Sequence, residues 1–464
     1  MLSGPGRWWR LIRDAFSGEN VDYTSGSLDR ALLLLAIPMI LETAMESLFA
    51  VVDIFFVSKL GEDAMATVAL TESLVVLVIA VALGLSFSTT AFVARRIGEK
   101  NPEEAARGAA QSVLIGLVCS VLIGLIGFAF APQLLELMGA TPGILRNVTF
   151  ARIVLGGCGT LMMLFLLNAI FRGAGDAVIA MKVLWLANII NIVLNPCLIF
   201  GLGPFPEMGI AGSAVGTVIG RGSGVLYQLW LLRSGAGRIH IRPEDWRPNP
   251  ELLRHILRPA LNGMFQIFVA TASWTALVRI AATFGPTILA GYTIGIRVIM
   301  FSIMPSWGLS NAAATLVGQN LGAGKPDRAE AAVWRAGLFN AVFLGSLSVL
   351  FMLAPEWILR VFTDSPGVLA AGALCLRTIS SCYVLYAYGM MLLQAFNGAG
   401  DTATPTRINL IGYWVVQIPL AWLLAHTLGY GPRGMYGAVA LAEVVVSLLA
   451  IYYFRQARWK QATI

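Results

Sequence analysis

Three carboxylates interrupt one strongly apolar stretch: Glu42, Glu46 and Asp53, the last two lying 4 and 11 residues beyond the first. On a helix that advances about 100° per residue, these positions fall within roughly 40° of each other. All three acids therefore share one stripe. Such a stripe is too costly to face lipid, so it must face a bundle interior or a cleft. There a carboxylate can take a proton, a sodium ion or an organic cation in competition. A second ladder, Asn188, Asn191 and Asn195, is spaced by 3 and 4 and again shares a face. Counted from the ends of their stretches, Asp53, Asn191 and Asn195 reach similar depth, with Glu72 slightly deeper. These four form a candidate cation or proton site, with Na⁺ at Asp53, Asn191 and Asn195 the one metal considered. Glu42 and Glu46 are candidates for secondary coupling or for selecting substrate charge. The competing reading for each acid is a structural hydrogen bond, or a carboxyl kept protonated by burial. Tyr383, with Tyr386, Tyr388, Met390 and Met391, could line a cleft for flat cations; plain packing competes. Glu443 is the one carboxylate deep inside the apolar segments of the second half, and Arg297 is its candidate partner.

The elements that must position these groups are membrane helices. The chain has 464 residues, 57% hydrophobic and only 12% charged, with mean hydropathy +0.76. A soluble domain carries roughly 25% charged residues, so a soluble enzyme, a nucleic-acid-binding module and a disordered chain are excluded. Twelve segments are long and apolar enough to span a bilayer, near 31–58, 64–93, 106–130, 147–170, 178–201, 209–232, 256–282, 286–317, 329–353, 368–396, 405–427 and 434–455. The expected architecture is all-α: twelve transmembrane helices in two pseudo-symmetric six-helix bundles around a central cleft. Its parts are an N-terminal segment (1–30), a first lobe (31–232), a polar linker (233–255), a second lobe (256–455) and a tail (456–464). With the N-terminus inside, 23 Lys and Arg fall on the cytoplasmic side, 5 outside and 4 (Arg221, Arg279, Arg297 and Arg377) within spans. This bias puts both termini in the cytoplasm. The net charge of +7 is then topology rather than a nucleic-acid patch. Residues 1–26 lack the apolar core of a cleavable signal. Trp8, Trp9, Leu11 and Ile12 read as a short interfacial helix or as plain disorder. The five cysteines sit in apolar stretches without a CxxC pair and read as small buried hydrophobes. His240, His255 and His426 lack metal-ligand spacing, and no nucleophile motif is present, so no enzyme and no cofactor is expected.

The two halves repeat each other. Ile97-Gly98 after the second span matches Leu321-Gly322 after the eighth, 224 residues on. Phe171-Arg172-Gly173-Ala174-Gly175-Asp176 matches Phe396-Asn397-Gly398-Ala399-Gly400-Asp401 at an offset of 225, and Gly209 and Gly212 match Gly434 and Gly437. Each copy has six spans, so the repeats are parallel, and two such bundles facing each other suit alternating access. The Gly-Ala-Gly-Asp loops read as tight turns in which Asp caps the next helix. No Gly-Lys-Ser/Thr loop follows a strand, so ATP is not the expected energy source.

With Pro38-Met39-Ile40, Val52 to Val57, Leu60-Gly61, Asn191 to Pro196 and the paired glycine loops, the chain resembles a MATE (multidrug and toxic compound extrusion) transporter over about residues 28–455. The resemblance implies a secondary antiporter that exports organic, often cationic, compounds in exchange for H⁺ or Na⁺. It implies a multi-pass protein of the bacterial inner membrane, expected to work as a monomer. It also matches Asp53, Asn191 and Asn195 to the family's cation or proton site in the first lobe. Many relatives carry Asp where this chain has Asn195, so one carboxylate is lost, and Glu42, Glu46 or Glu72 could compensate. The acids that another branch uses in spans 7 and 10 are absent. A lipid-linked precursor flippase of the same superfamily is the alternative. Such proteins commonly line the cleft with basic residues, and here the four span arginines do not cluster.

Overall fold

The computed structural model describes residues 12–17 and 21–462. Trp8, Trp9 and Leu11 lie outside them. Among the described residues there are helices and connecting turns, with no strand. The membrane-scale helices are α1 (Leu28–Val57), α2 (Glu62–Gly98), α3 (Pro102–Leu137), α4 (Val148–Ala174, broken at Gly157), α5 (Ala177–Phe200) and α6 (Ile210–Ser234). The second half holds α7 (Pro250–Ala282), α8 (Pro286–Gly322), α9 (Pro326–Leu353), α10 (Pro366–Ser380 and Tyr383–Ala399), α11 (Ala403–Thr427) and α12 (Pro432–Arg455). Ten of these are long and apolar enough to cross a membrane singly. The two segments of α10, bent by 60°, make an eleventh together. The twelfth expected span, α6, is a 25-residue helix whose glycines, serines and Arg221 dilute its hydropathy.

Local signals set the helix ends. Proline opens α3, α7, α8, α9 and α12, where its missing N–H is no loss. Asn101 and Asn249 cap α3 and α7 by accepting from backbone N–H groups. In both repeated loops the second glycine, Gly175 or Gly400, is left-handed at φ +89° and +87° and stops the helix. The two aspartates then part ways. Asp401 accepts from the Thr404 N–H at 3.1 Å, as a cap should. Asp176 instead accepts from the Arg238 N–H at 2.8 Å and pairs with its guanidinium at 3.3 Å. It ties the loop to the linker rather than to its own helix.

The internal repeat becomes a set of reciprocal contacts between the lobes. A methyl on Gly98 of α2 would land on the Gln319 carbonyl of α8, and one on Gly322 of α8 would land on the Arg95 carbonyl of α2. Gly84 packs on the Met264 backbone of α7, and its counterpart Gly308 on the Ile40 backbone of α1. Residues 224 apart thus exchange roles, as a pseudo-twofold axis along the bundle requires. All four contacts lie in the half of the bundle that carries the termini. There the glycines let backbones touch, and α2–α7 and α1–α8 are the main packings across the seam.

Both chain ends reinforce this face. Tyr23 donates to the Gly175 carbonyl, and Arg238 donates to the Val21 carbonyl, on the first-lobe side. On the second-lobe side Lys325 donates to the Thr24 carbonyl, and Arg328 to the Ser25 and Gly26 carbonyls. At the other end Arg95 donates to the Ala462 carbonyl at 2.7 Å, while Lys460 pairs with Glu330 at 2.6 Å and Asp327 at 3.1 Å. The Glu330 and Asp327 carboxylates hold the Lys460 ammonium above the usual lysine range.

The glycine contacts carry a prediction. In Gly322→Ala, an added methyl meets backbone, which cannot swing aside, and overpacking of this kind costs about 1–3 kcal/mol. The population sealed on the termini-bearing face should fall. Spin labels on the adjoining ends of α2 and α8 read this directly: a longer distance distribution is expected, and an unchanged one would count against the seal.

Candidate coupling and cargo sites

The carboxylate stripe of α1 serves two places. Toward the middle of the molecule, Glu42 and Glu46 line a cavity of about 260 Å³ between the lobes. Its apolar walls include Phe87, Phe165, Met300 and Trp307. Glu42 is buried and accepts from Arg172 and from Asn168, each at 3.0 Å. Asn168 in turn accepts from Gln228. This chain of partners joins α1, α4 and α6. The second oxygen of Glu42 is buried without a partner. Glu46 stands 4.0 Å from Arg221, whose guanidinium lies over the Phe49 ring at 5.4 Å. The second-lobe wall holds amides instead of acids. Asn397 donates to Gln394 at 2.7 Å, and Gln394 donates to Asn311 at 3.0 Å.

Arg172 corrects the sequence reading. The apolar pattern places it in the loop after the fourth span, but α4 runs on to Ala174 and carries Arg172 into the interior, where 10% of its side chain is exposed. The signal was present in the repeat: Arg172 matches Asn397, and both line the cavity.

Further from the termini, Asp53 turns into the first lobe. Its Oδ1 accepts from Asn195 of α5 at 2.7 Å and from Ser213 of α6 at 2.9 Å. Asn191 donates to Thr217 of α6 at 3.0 Å. Asn191 Oδ1 and Asn195 Oδ1 are buried and have no hydrogen-bond partner. The cluster therefore holds a carboxylate and two amide oxygens. These are the hard donors an alkali cation prefers, and the carboxylate alone is enough for a proton. Small residues of α6 make room: a Cβ on Gly216 would meet the Asn195 side chain. Asn188 donates to the Met45 carbonyl and stitches α5 to α1.

Two candidates fall elsewhere. Glu72 is exposed and has no hydrogen bond or ion pair among the described residues, although it feels the Asp53, Arg297 and Arg221 charges. It stands outside the hydrogen bonds that Asp53 makes with Asn195 and Ser213. Tyr383 is 2% exposed and packs against Phe351 and Tyr386 inside the second lobe, so it does not line the central cavity. Apolar spacing gave no way to tell lobe core from cleft wall. Glu443 accepts from Tyr413 at 3.3 Å and makes no ion pair among the described residues, while Arg297 is exposed, so the pairing considered between them is not formed.

The MatE family model matches the chain twice, over residues 38–197 and 264–423. The chain belongs to this family. The two matches are the two halves of the repeat, and they make this MATE protein a membrane transporter rather than an enzyme. Among curated relatives, a probable multidrug resistance protein NorM of Thermotoga maritima is 27% identical over 443 residues, covering 94% of each chain. An FAD transporter of Shewanella oneidensis is 25% identical over 445 residues, covering 93% of this chain and 95% of its own. Among solved structures, a multidrug resistance MATE transporter described as outward-facing aligns with TM-score 0.88 at 26% identity, covering 96% of this chain and 99% of its own. A Pyrococcus furiosus transporter of the wider superfamily, described as having a binding pocket of reversed polarity, aligns with TM-score 0.88 at 26% identity over 95% and 98% of the two chains.

Proposed function

We propose that this MATE protein is a secondary antiporter exporting small organic compounds, often cationic, in exchange for H⁺ or Na⁺ bound at Asp53. The observation that carries the reading is the division of labour along α1. Glu42 and Glu46 face the cavity between the lobes, whereas Asp53, two to three turns on, is held by uncharged donors of α5 and α6. Cargo enters the cavity, where Phe87, Phe165, Met300 and Trp307 take its apolar part and the Glu46 carboxylate favours positive charge. A proton or Na⁺ at Asp53 changes which donors the carboxylate needs. That shifts α1 against α5 and α6, and with them the cavity wall. Substrate binding and ion binding thus oppose each other through one helix. With both termini in the cytoplasm of a bacterial inner-membrane protein, the sealed face is the cytoplasmic one and this conformation releases outward. The flippase alternative has weaker support, because the one arginine lining the cavity is already paired with Glu42.

The test is efflux of a cationic dye from liposomes holding the purified protein, with a pH gradient or a Na⁺ gradient imposed separately. One gradient should drive export and thereby name the ion. If neither moves any of several dyes, the antiport reading fails and lipid-linked substrates come next.

A further inference from the structure

Inside the second lobe a carboxylate is buried without a cation. Glu443 of α12 is 8% exposed. The groups that face it are all uncharged at neutral pH: Cys382, Tyr383 and Tyr386 from α10, and Tyr413 from α11. No ion pair reaches it among the described residues. Tyr413 donates to Oε1, while Oε2 is buried with no partner. A charge in such surroundings is very costly, and a permanently neutral, structural acid normally spends its O–H on an acceptor. Glu443 satisfies neither arrangement fully, which suits a group that alternates between them.

The backbone at this point is also unusual. Tyr413 sits within Leu410–Gln417, where α11 opens into wide π-helical turns, and a second such segment covers Leu423–Thr427. π-Helical turns are rare and concentrate at functional sites. The placement shares helices with the first-lobe site but not its acid position, since the counterpart of Asp53 on α7 is Leu277. Asp53 takes its donors from α5 and α6. Glu443 lies on α12 and takes its donor from α11, the helices that the 225-residue repeat equates with α6 and α5.

We propose that Glu443 is a second proton-carrying site, loading and releasing one proton per transport cycle, with Tyr413 passing its state to α11. On loading, a proton from water bonds to Oε2 while Tyr413 keeps donating to Oε1. On release, the proton returns to water, and the bare carboxylate keeps the Tyr413 hydrogen bond and draws it tighter. The proposal rests on the antiport reading only for its place in the cycle.

The experiment is a titration of the purified, reconstituted protein without cargo, followed by infrared spectroscopy of the carboxyl groups and by direct counting of protons taken up. Glu443→Gln keeps the shape of the neutral acid and should fold. It is expected to take up one proton fewer per molecule and to lose one protonated-carboxyl band that Asp53→Asn retains. Tyr413→Phe should move the midpoint of that band without abolishing it. Identical titrations for wild type and Glu443→Gln would overturn the proposal. Because no cargo is involved, this result stands apart from the dye-efflux result.

Discussion

Asp53→Asn is expected to yield a folded, inserted protein whose gradient-driven export falls by roughly tenfold or more, the range over which coupling energies between sites operate. The reasoning starts from the hydrogen bonds. Asp53 Oδ1 accepts from Asn195 and Ser213, and the amide oxygen of an asparagine can accept from the same two donors. Packing therefore survives. What disappears is the capacity to hold a proton or to neutralise Na⁺, since an amide does neither. Neighbouring Asn195 cannot compensate, being an amide itself. Purified Asp53→Asn should keep its thermal midpoint, its dye binding should lose its dependence on the coupling ion, and liposome efflux should become insensitive to the imposed gradient. Transport at the wild-type rate by this variant would remove Asp53 from the mechanism.

The second large effect is on stability. Arg172→Met should cost about 3–5 kcal/mol, the range for removing one partner of a buried ion pair. Glu42 would be left buried beside Asn168 alone, with only 5% of its side chain exposed to share the charge. Double replacement, Glu42→Gln with Arg172→Met, removes the stranded charge and should recover most of the loss. Thermal unfolding in detergent distinguishes the cases: a large drop for the single variant and a near-normal midpoint for the pair. Equal drops in both would mean that Arg172 matters for its packing rather than for its charge.

Much of the fold could be read before any coordinates because it is repetitive. The matches Ile97-Gly98 with Leu321-Gly322, and Gly173 with Gly398, are the places where backbones touch, so the residues that the repeat shares most visibly are those that position the helices. The stripe on α1 was legible for a similar reason, since a carboxylate in lipid is forbidden and its face is therefore predictable. Where the reading failed, one coordinate was lacking. Hydropathy marks a helix end only softly, which left Arg172 in a loop although it points into the cavity. Depth along a helix could not tell that Glu72 is left out of the hydrogen bonds around Asp53. For Tyr383, an aromatic side chain satisfies a lobe core as readily as a cleft wall. The chain of amides at Asn311, Gln394 and Asn397 gave no charge signal at all, yet it forms the second-lobe side of the cavity.

The segment 21–26 and the tail around Trp459 to Ala462 each hold residues of both lobes. They act as stitches through a seam. The lobes cannot part on this side without drawing the thread, so the molecule advertises its state at its own ends. A protease must draw several residues of backbone into its site, so cleavage within residues 21–26 should quicken as the seam opens and frees Tyr23, and its rate would follow the fraction of molecules open on the termini-bearing face without any label on the lobes themselves.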